Sequence, residues 1–276
     1  MAITAADVNK LRQMTGAGMM DCKKALVEAD GDFDAAIDIL RKKGQQVAAK
    51  RADRASSEGR AVAKVNADKT FAAVVVIGCE TDFVGKNSDF VEFADSIIDA
   101  AIENKVRDID ALNALTIDGS TVAEMILQMT GKTGEKVELA AYHHIEAESV
   151  SAYNHNGNRI ATIVGFNLAG ENVQEAGYNV AMQIAAMNPI ALNADAVPQA
   201  TIDHEMEINR ELVRQEGKPE NMVEQIVKGK LNKFFRENTL LSQDYIKDNK
   251  TSVGDYLKQV DPKLTATQFF RVQIGG

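Results

Sequence analysis

Two stretches of the chain carry the same order of signals, and that repetition limits the folds open to it. Residues 60–66 and 71–77 are strand-forming runs joined by Ala67-Asp68-Lys69-Thr70. Residues 147–153 and 159–168 repeat the arrangement across His155-Asn156-Gly157-Asn158. Asn-Gly between strand-like runs signals a hairpin, because both residues accept positive φ at little cost. A helical stripe follows each hairpin, over about 87–103 (Phe90, Phe93, Ala94, Ile97, Ile98) and about 171–187 (Val173, Val180, Ala181, Ile184, Ala185). That spacing gathers the apolar side chains on one helix face. Identity between the two units is low, so the repeat lies in the pattern; Ala73-Val74-Val75-Val76 corresponds to Ala161-Thr162-Ile163-Val164. Further strands over about 136–142 and 268–274 complete the sheets. The expected class is α+β, with two similar antiparallel-sheet-plus-helix core subdomains.

Ahead of the repeat, residues 4–44 read as three short helices. Thr4 caps the first, which carries Val8 and Leu11 and stops at Thr15-Gly16-Ala17-Gly18. The second starts near Met19 and runs through Ala25 and Leu26. Asp30-Gly31-Asp32 ends it and caps the third, whose stripe is Phe33, Ala36, Ile37 and Leu40. Arg41-Lys42-Lys43-Gly44 has a helix-ending pattern, cations near the last carbonyls and then Gly. A module of about 40 residues is near the lower limit for an independent core, so it is expected to lean on the rest of the chain. Residues 45–58 are polar, basic and Ala-rich and read as a linker, in part helical. Helical patterns over about 202–216 and 220–237 flank Gly217-Lys218-Pro219 and read as a hairpin projecting from the second subdomain. Pro219 is expected at the first helical position, where an N–H has no intrahelical partner.

The 276 residues carry a net charge of −9, a length for one large domain or two to three small ones. With 45% hydrophobic and 26% charged residues the chain is globular in composition. It lacks the run of about 18 apolar residues that a membrane span needs, and its N-terminus shows no apolar signal region. Cys22 and Cys79 do not make a disulfide framework, so reduced thiols and a cytoplasmic location are expected. The charge is uneven. Residues 1–64 are net positive and the remainder strongly negative; residues 41–64 hold eight basic and two acidic side chains. An acidic chain is a poor general nucleic-acid binder. The basic stretch reads either as a solvated helix-to-linker segment or as a contact for RNA or an acidic protein face.

Signatures of catalysis are missing. There is no phosphate-binding GxxxxGK[ST], no GxGxxG after a strand and no GxSxG elbow. His143 and His144 are adjacent, so in a strand they point to opposite faces, and no Cys or carboxylate stands at zinc-ligand spacing. Cys22 sits early in a helix without an identifiable base. The sequence favours a binding protein with no catalytic residue, cofactor or metal site. Glu80 to Ser88 lies between the strongest strand and a helix, where a rigid scaffold presents functional loops. Here Asp82 precedes Phe83 and Val84. Either Phe83 and Val84 tuck beneath the loop while Asp82 caps or solvates, or Phe83 projects as an aromatic anchor for a partner pocket with Asp82 delivering charge.

An ordered series of motifs resembles the elongation factor Ts family over nearly the whole chain. It comprises Leu11-Arg12, Thr15-Gly16-Ala17-Gly18-Met19-Met20-Asp21-Cys22-Lys23-Lys24-Ala25-Leu26, Gly31-Asp32, Ala36-Ile37 and Leu40-Arg41. Thr81-Asp82-Phe83-Val84 matches the family's central motif. Tyr153 and His155 with Gly157, Ala185-Ala186-Met187-Asn188-Pro189, and Lys218-Pro219-Glu220-Asn221 continue the series. The resemblance implies an N-terminal ubiquitin-associated-like bundle (1–45), a basic linker (46–58), a core N-subdomain (59–142) and a core C-subdomain (143–276) whose hairpin at about 202–237 is a coiled-coil excursion. It implies guanine-nucleotide exchange on elongation factor Tu in bacterial translation. Thr81, Asp82, Phe83 and Val84 would disturb the partner's Mg²⁺ site. Arg12, Met19, Met20, Gly134 and His155 would be further contacts, with Met19 and Met20 each either interface or core. Lys132-Thr133-Gly134-Glu135 fits a further contact loop, although Thr133 stands where the family often has an apolar residue. Some members continue beyond the last strand into a C-terminal helical module, a contact expected to be missing or replaced here. No stable nucleic-acid binding is expected, and the oligomeric state is open between a homodimer and a two-plus-two complex with the partner. The alternative to the exchange reading is an RNA- or ribosome-binding accessory protein using residues 41–64.

Overall fold

The computed structural model describes residues 3–275. Met1, Ala2 and Gly276 lie outside them, and with them the extreme positions of the expected 1–45 and 143–276 units. Three helices come first: α1 (Ala5–Thr15), α2 (Met19–Glu28) and α3 (Phe33–Lys50). Thr4 caps α1 in a reciprocal box with Asp7, and Gly16 ends the helix with φ 66°. The Asp32 side chain accepts from the Ala35 amide to start α3. The bundle's buried core is small, made of Val8, Leu11, Cys22, Ala25, Leu26 and Ala36.

Gly44 does not end α3, which runs six residues further through part of the expected linker. Gly44 is buried instead against α7 (Val122–Thr133). A glycine after basic residues ends a helix when the chain must turn. Here the same residue lets two helices touch.

The first sheet unit contains β1 (Glu58–Val65), β2 (Phe71–Cys79), the one-turn α4 (Asp82–Gly85), α5 (Ser88–Glu103) and α6 (Ile109–Ala114). The two-residue strands β3 (Thr116–Ile117) and β4 (Ser120–Thr121), then α7 and β5 (Glu138–Glu146), complete it. The second contains β6 (Ser149–His155), β7 (Ile160–Phe166), α8 (Glu171–Met187), α9 (Gln199–Gln215) and α10 (Glu220–Asn238). It ends with β8 (Asp244–Tyr245), β9 (Asp248–Ser252), α11 (Val253–Val260) and β10 (Ala266–Gln273). The sheet orders are β1-β2-β5 and β10-β7-β6, all antiparallel. The fold is therefore the α+β class read from the sequence. The expected strand at 136–142 extends to Glu146, and its last residues pair with the start of β2.

The two sheets pack face to face. Ala61, Ala63, Ala72, Val74, Val76, Ile145, Val150, Ala161 and Ile163 fill the space between them. The opposite face of the first sheet meets Phe90, Phe93, Ile97 and Ile98 of α5, with Leu112 and Val122. That of the second meets Val173, Val180 and Ile184 of α8 and Leu257 of α11. All nine residues of β2 are buried because both of its faces are covered. His143 and His144 do point to opposite faces. His143 stacks on Phe270 at 4.3 Å on the inter-sheet side, and His144 lies over Phe71 at 5.6 Å on the helix side. α9 and α10 form the projecting hairpin, held by Val213, Val223 and Val227. Pro219 is the N-cap of α10 rather than its first helical residue, with ψ 137° outside the helical region.

Candidate functional site

β2 ends at Cys79, and the chain turns at once into α4. Thr81 caps this single turn, its hydroxyl accepting from the Val84 amide at 3.5 Å. Thr81 is itself held. Its amide donates to Glu135 Oε2 at 3.0 Å and its hydroxyl to Glu135 Oε1 at 2.6 Å. Glu80 is fixed from two directions. Arg51, just past α3, donates to both of its oxygens at 2.8 and 2.7 Å, and the Lys136 amide donates to Oε1 at 2.6 Å. Burial pushes the Glu80 carboxyl up, but the Lys136 amide and Arg51 together outweigh it and hold the group below its ordinary range. Beneath the turn, a Cβ on Gly85 would lie 3.2–3.3 Å from the backbone of Gly59 in β1, so a bare glycine lets the two segments meet. Cys79 closes the base, its thiol donating to the Thr81 carbonyl at 3.2 Å. Burial, reinforced by the Glu135 charge, pushes that thiol up to about 12, so it is not a nucleophile here.

On this pinned turn the two apolar side chains separate. Val84 packs against the cluster under the first sheet, while Phe83 is 85% exposed. Val84 is thus tucked beneath the loop, and Phe83 projects from it. Asp82 lies outside and pairs with Lys86 at 2.6 Å, a hydrogen bond and charge that keep its carboxyl below the usual range.

Met19 and Met20, at the start of α2, are 52% and 62% exposed, so neither is core. Arg12 is exposed on α1 and lies with Asp89 and Lys132 around one open groove. Lys132 donates to Asp89 at 2.6 Å, tying the end of α7 to the first turn of α5. Gly134 is the left-handed C-cap of α7, with φ 72°, one residue before Glu135. Arg12, the 81–86 turn and Gly134 thus share one continuous framework. His155 stands apart at the end of β6, exposed, its Nδ1 2.8 Å from the Tyr153 hydroxyl. Tyr178 of α8 meets Tyr153 edge-on at 5.5 Å. Sequence reasoning missed the anchoring role of Glu135, the Arg51–Glu80 tie and the Tyr153–Tyr178 contact, which join residues far apart in the chain.

Among the described residues, no group of three or more His, Cys, Asp and Glu is placed to hold a metal ion, and no helix is long and apolar enough to cross a membrane. Cys22 is buried in the bundle core and donates to the Ala17 carbonyl at 3.6 Å. Five of the eight basic side chains in residues 41–64 form ion pairs within the chain: Arg41 with Glu124, Lys43 with Asp21, Arg51 with Glu80, Arg60 with Asp95 and Lys64 with Asp99.

Fold and site together define an α+β protein that presents one aromatic side chain from a rigidly anchored turn beside a small helical bundle. A family model described as Elongation factor TS matches residues 80–276. The chain is 53% identical over 273 residues to an elongation factor Ts of Christiangramia forsetii, with 99% of each chain covered. It is 52% identical over 273 residues to that of Flavobacterium psychrophilum, again with 99% of each covered. Against that of Amoebophilus asiaticus it is 51% identical over 276 residues, with both chains fully covered. The chain belongs to the elongation factor Ts family and is a translation elongation factor.

Proposed function

We propose that this chain is a guanine-nucleotide exchange factor, not an enzyme, and that it acts in the cytoplasm on GDP-bound elongation factor Tu. One observation carries the reading: Phe83 is 85% exposed on a turn anchored through Glu80, Thr81 and Val84. An exposed aromatic ring on a fixed base suits insertion into a partner pocket, because little ordering entropy is lost on binding. In this mechanism Phe83 wedges between elements of the partner's nucleotide domain. Asp82, released from Lys86, hydrogen-bonds or repels the groups that order the water shell of the partner's Mg²⁺. Mg²⁺ demands near-octahedral oxygen ligands and bridges protein to phosphate. Its loss leaves the phosphate charge less compensated, and GDP leaves faster. Thr81 and Val84 hold the turn. Neither nucleotide nor metal needs to bind this chain.

The remaining contacts fit the same reading. Arg12, Met19 and Met20 form a docking face on the bundle, Met being adaptable at interfaces. Gly134 and His155 extend the contact from the two sheet units. The proposed division keeps a bundle, a connector and two core subdomains, the second including the helical hairpin, with the boundaries moved to follow α3 and β5. The RNA-binding alternative is disfavoured by the ion pairs that neutralise most of the 41–64 cations. Linkage supplies the test, since whatever factor this chain weakens GDP binding by, GDP weakens the chain's binding by the same factor. Calorimetric titration into nucleotide-free elongation factor Tu should give a tight complex that added Mg²⁺-GDP dissolves. A complex indifferent to GDP would refute the exchange reading. Steeply salt-dependent binding to RNA at near-physiological salt would favour the alternative.

A further inference from the structure

α3 and α7 cross with almost no side chain between them. A Cβ on Gly44 would lie 2.6 Å from the Leu127 carbonyl oxygen, and one on Gly131 would lie 3.2 Å from the Gly44 Cα. Both obstacles are backbone atoms, which cannot swing aside as a flexible side chain does. Around the crossing, Arg41 reaches Glu124 at 4.0 Å, and the Lys132 stem lies within van der Waals reach of a Cβ built on Gly16. Each helix also reaches the Phe83 turn. Arg51 at the end of α3 grips Glu80, and Glu135 just beyond α7 grips Thr81. One joint therefore sets two positions: that of the bundle, with Arg12, Met19 and Met20, and that of the turn carrying Phe83.

We propose that the Gly44–Gly131 crossing is a positioning joint that fixes the spacing between the bundle's docking face and Phe83, so that one partner engages both patches at once. The inference builds on the exchange-factor reading and adds that the bundle acts as part of a rigid gauge, not as a tethered module. Two patches held at the correct spacing bind as one bivalent surface, because the second contact forms at high effective concentration. A shifted spacing loses that gain and leaves the wedge itself intact. Gly44 and Gly131 lie in the helix crossing, outside the proposed docking patches, so they are positioning residues.

The test uses the full chain and three single substitutions. Gly44→Ala places a methyl against the Leu127 carbonyl. Gly131→Ala is a milder intrusion and serves if the first variant does not fold. Gly229→Ala is the control, since Gly229 lies inside α10 with nothing within 4 Å of the added Cβ. Cys22 and Cys79 are buried, so dyes or spin labels can be directed to cysteines introduced at exposed Glu28 and Glu103, and their separation reports the joint. GDP release from the GDP-loaded partner, followed against chain concentration, gives a half-saturating concentration and a saturated rate. The proposal expects a changed label distance in Gly44→Ala and a smaller change in Gly131→Ala. It expects the half-saturating concentration to rise at least about ten-fold, with the saturated rate within about two-fold of wild type, as a spacing defect removes affinity and not the wedge. Gly229→Ala should match wild type on every measure. Three results would overturn the proposal: an unchanged distance, a changed distance with unaltered half-saturation, or loss confined to the saturated rate. A wild-type chain that fails to accelerate release would sink the exchange reading, while the label distance still decides whether Gly44 sets the joint.

Discussion

Phe83 and Val84 are neighbours of opposite fate, and replacing each by Ala separates binding from folding. Phe83 is 85% exposed, so about 30 Å² of the roughly 200 Å² an aromatic side chain can bury is already covered. At about 25 cal/mol per Å² that is about 0.8 kcal/mol, an upper figure for the stability lost in Phe83→Ala. For a chain of this size the melting temperature should move by about 2 °C. A core Phe would cost about 3–5 kcal/mol instead. In the complex the other ~170 Å² becomes available, worth at most about 4 kcal/mol before the costs of association. Accelerated GDP release should therefore fall about 10- to 1,000-fold in Phe83→Ala at equal concentration. Val84→Ala inverts the pattern. Its side chain packs under the first sheet, and the loss of two methyl groups should cost about 1–2 kcal/mol. Calorimetric melting and fluorescent GDP release on the same preparations read both quantities. A melting drop above about 5 °C for Phe83→Ala, or release unaffected by it, would refute the assignment of Phe83 as a free anchor.

Other consequences are independent of that pair. Glu135→Ala strips Thr81 of both its anchors and should cost about 1–3 kcal/mol locally, raising amide exchange at Val84 and Gly85 and slowing GDP release with Phe83 intact; unchanged protection there would contradict the anchoring role. Burial, with His144 close by, holds His143 below its ordinary value of 6.5. The native state then binds fewer protons than the unfolded chain below that pH, so the His143 contribution is complete above about pH 6.5 and is lost as pH falls through the lowered native value. Arg107, Asp108, His144 and Glu146 line the same groove and are kept in the variant, so the readout is the parent-minus-His143→Gln difference in stability between pH 8 and 5; a flat difference would refute the burial argument. Cys79, pushed up to about 12 by burial, should resist iodoacetamide at pH 8 in the native protein and react on unfolding; fast native labelling would show that the 79–81 closure opens readily.

The sequence displayed the local elements well and their assembly poorly, for physical reasons visible at particular residues. Apolar spacing placed α5 and α8 closely, because one-sided burial writes a 3.6-residue period. Asn156, Gly157 and Asn158 all adopt positive φ, a conformation that Asn and Gly accept more readily than other residues, and the second hairpin followed from them. Gly44 misled because the residue serves two purposes, helix termination and close helix contact, and only the position of α7 distinguishes them. The face-to-face packing of the sheets was signalled by the unbroken apolar run of β2 and the alanines opposing it, but no local pattern names the partner sheet. At the site, the Asp82-Phe83 step stood out as acid beside aromatic. Its supports did not, since Glu135 and Arg51 act on Thr81 and Glu80 across long stretches of chain.

The central claim is that a pinned Asp82-Phe83 step opens a partner's nucleotide site. It is tested most directly by stopped-flow release of fluorescent GDP from elongation factor Tu at fixed Mg²⁺, with wild type and with an Asp82→Ala/Phe83→Ala double variant. The account predicts a large acceleration by wild type that the folded double variant loses. No acceleration by the folded wild type with its cognate partner, or equal acceleration by the double variant, would contradict it.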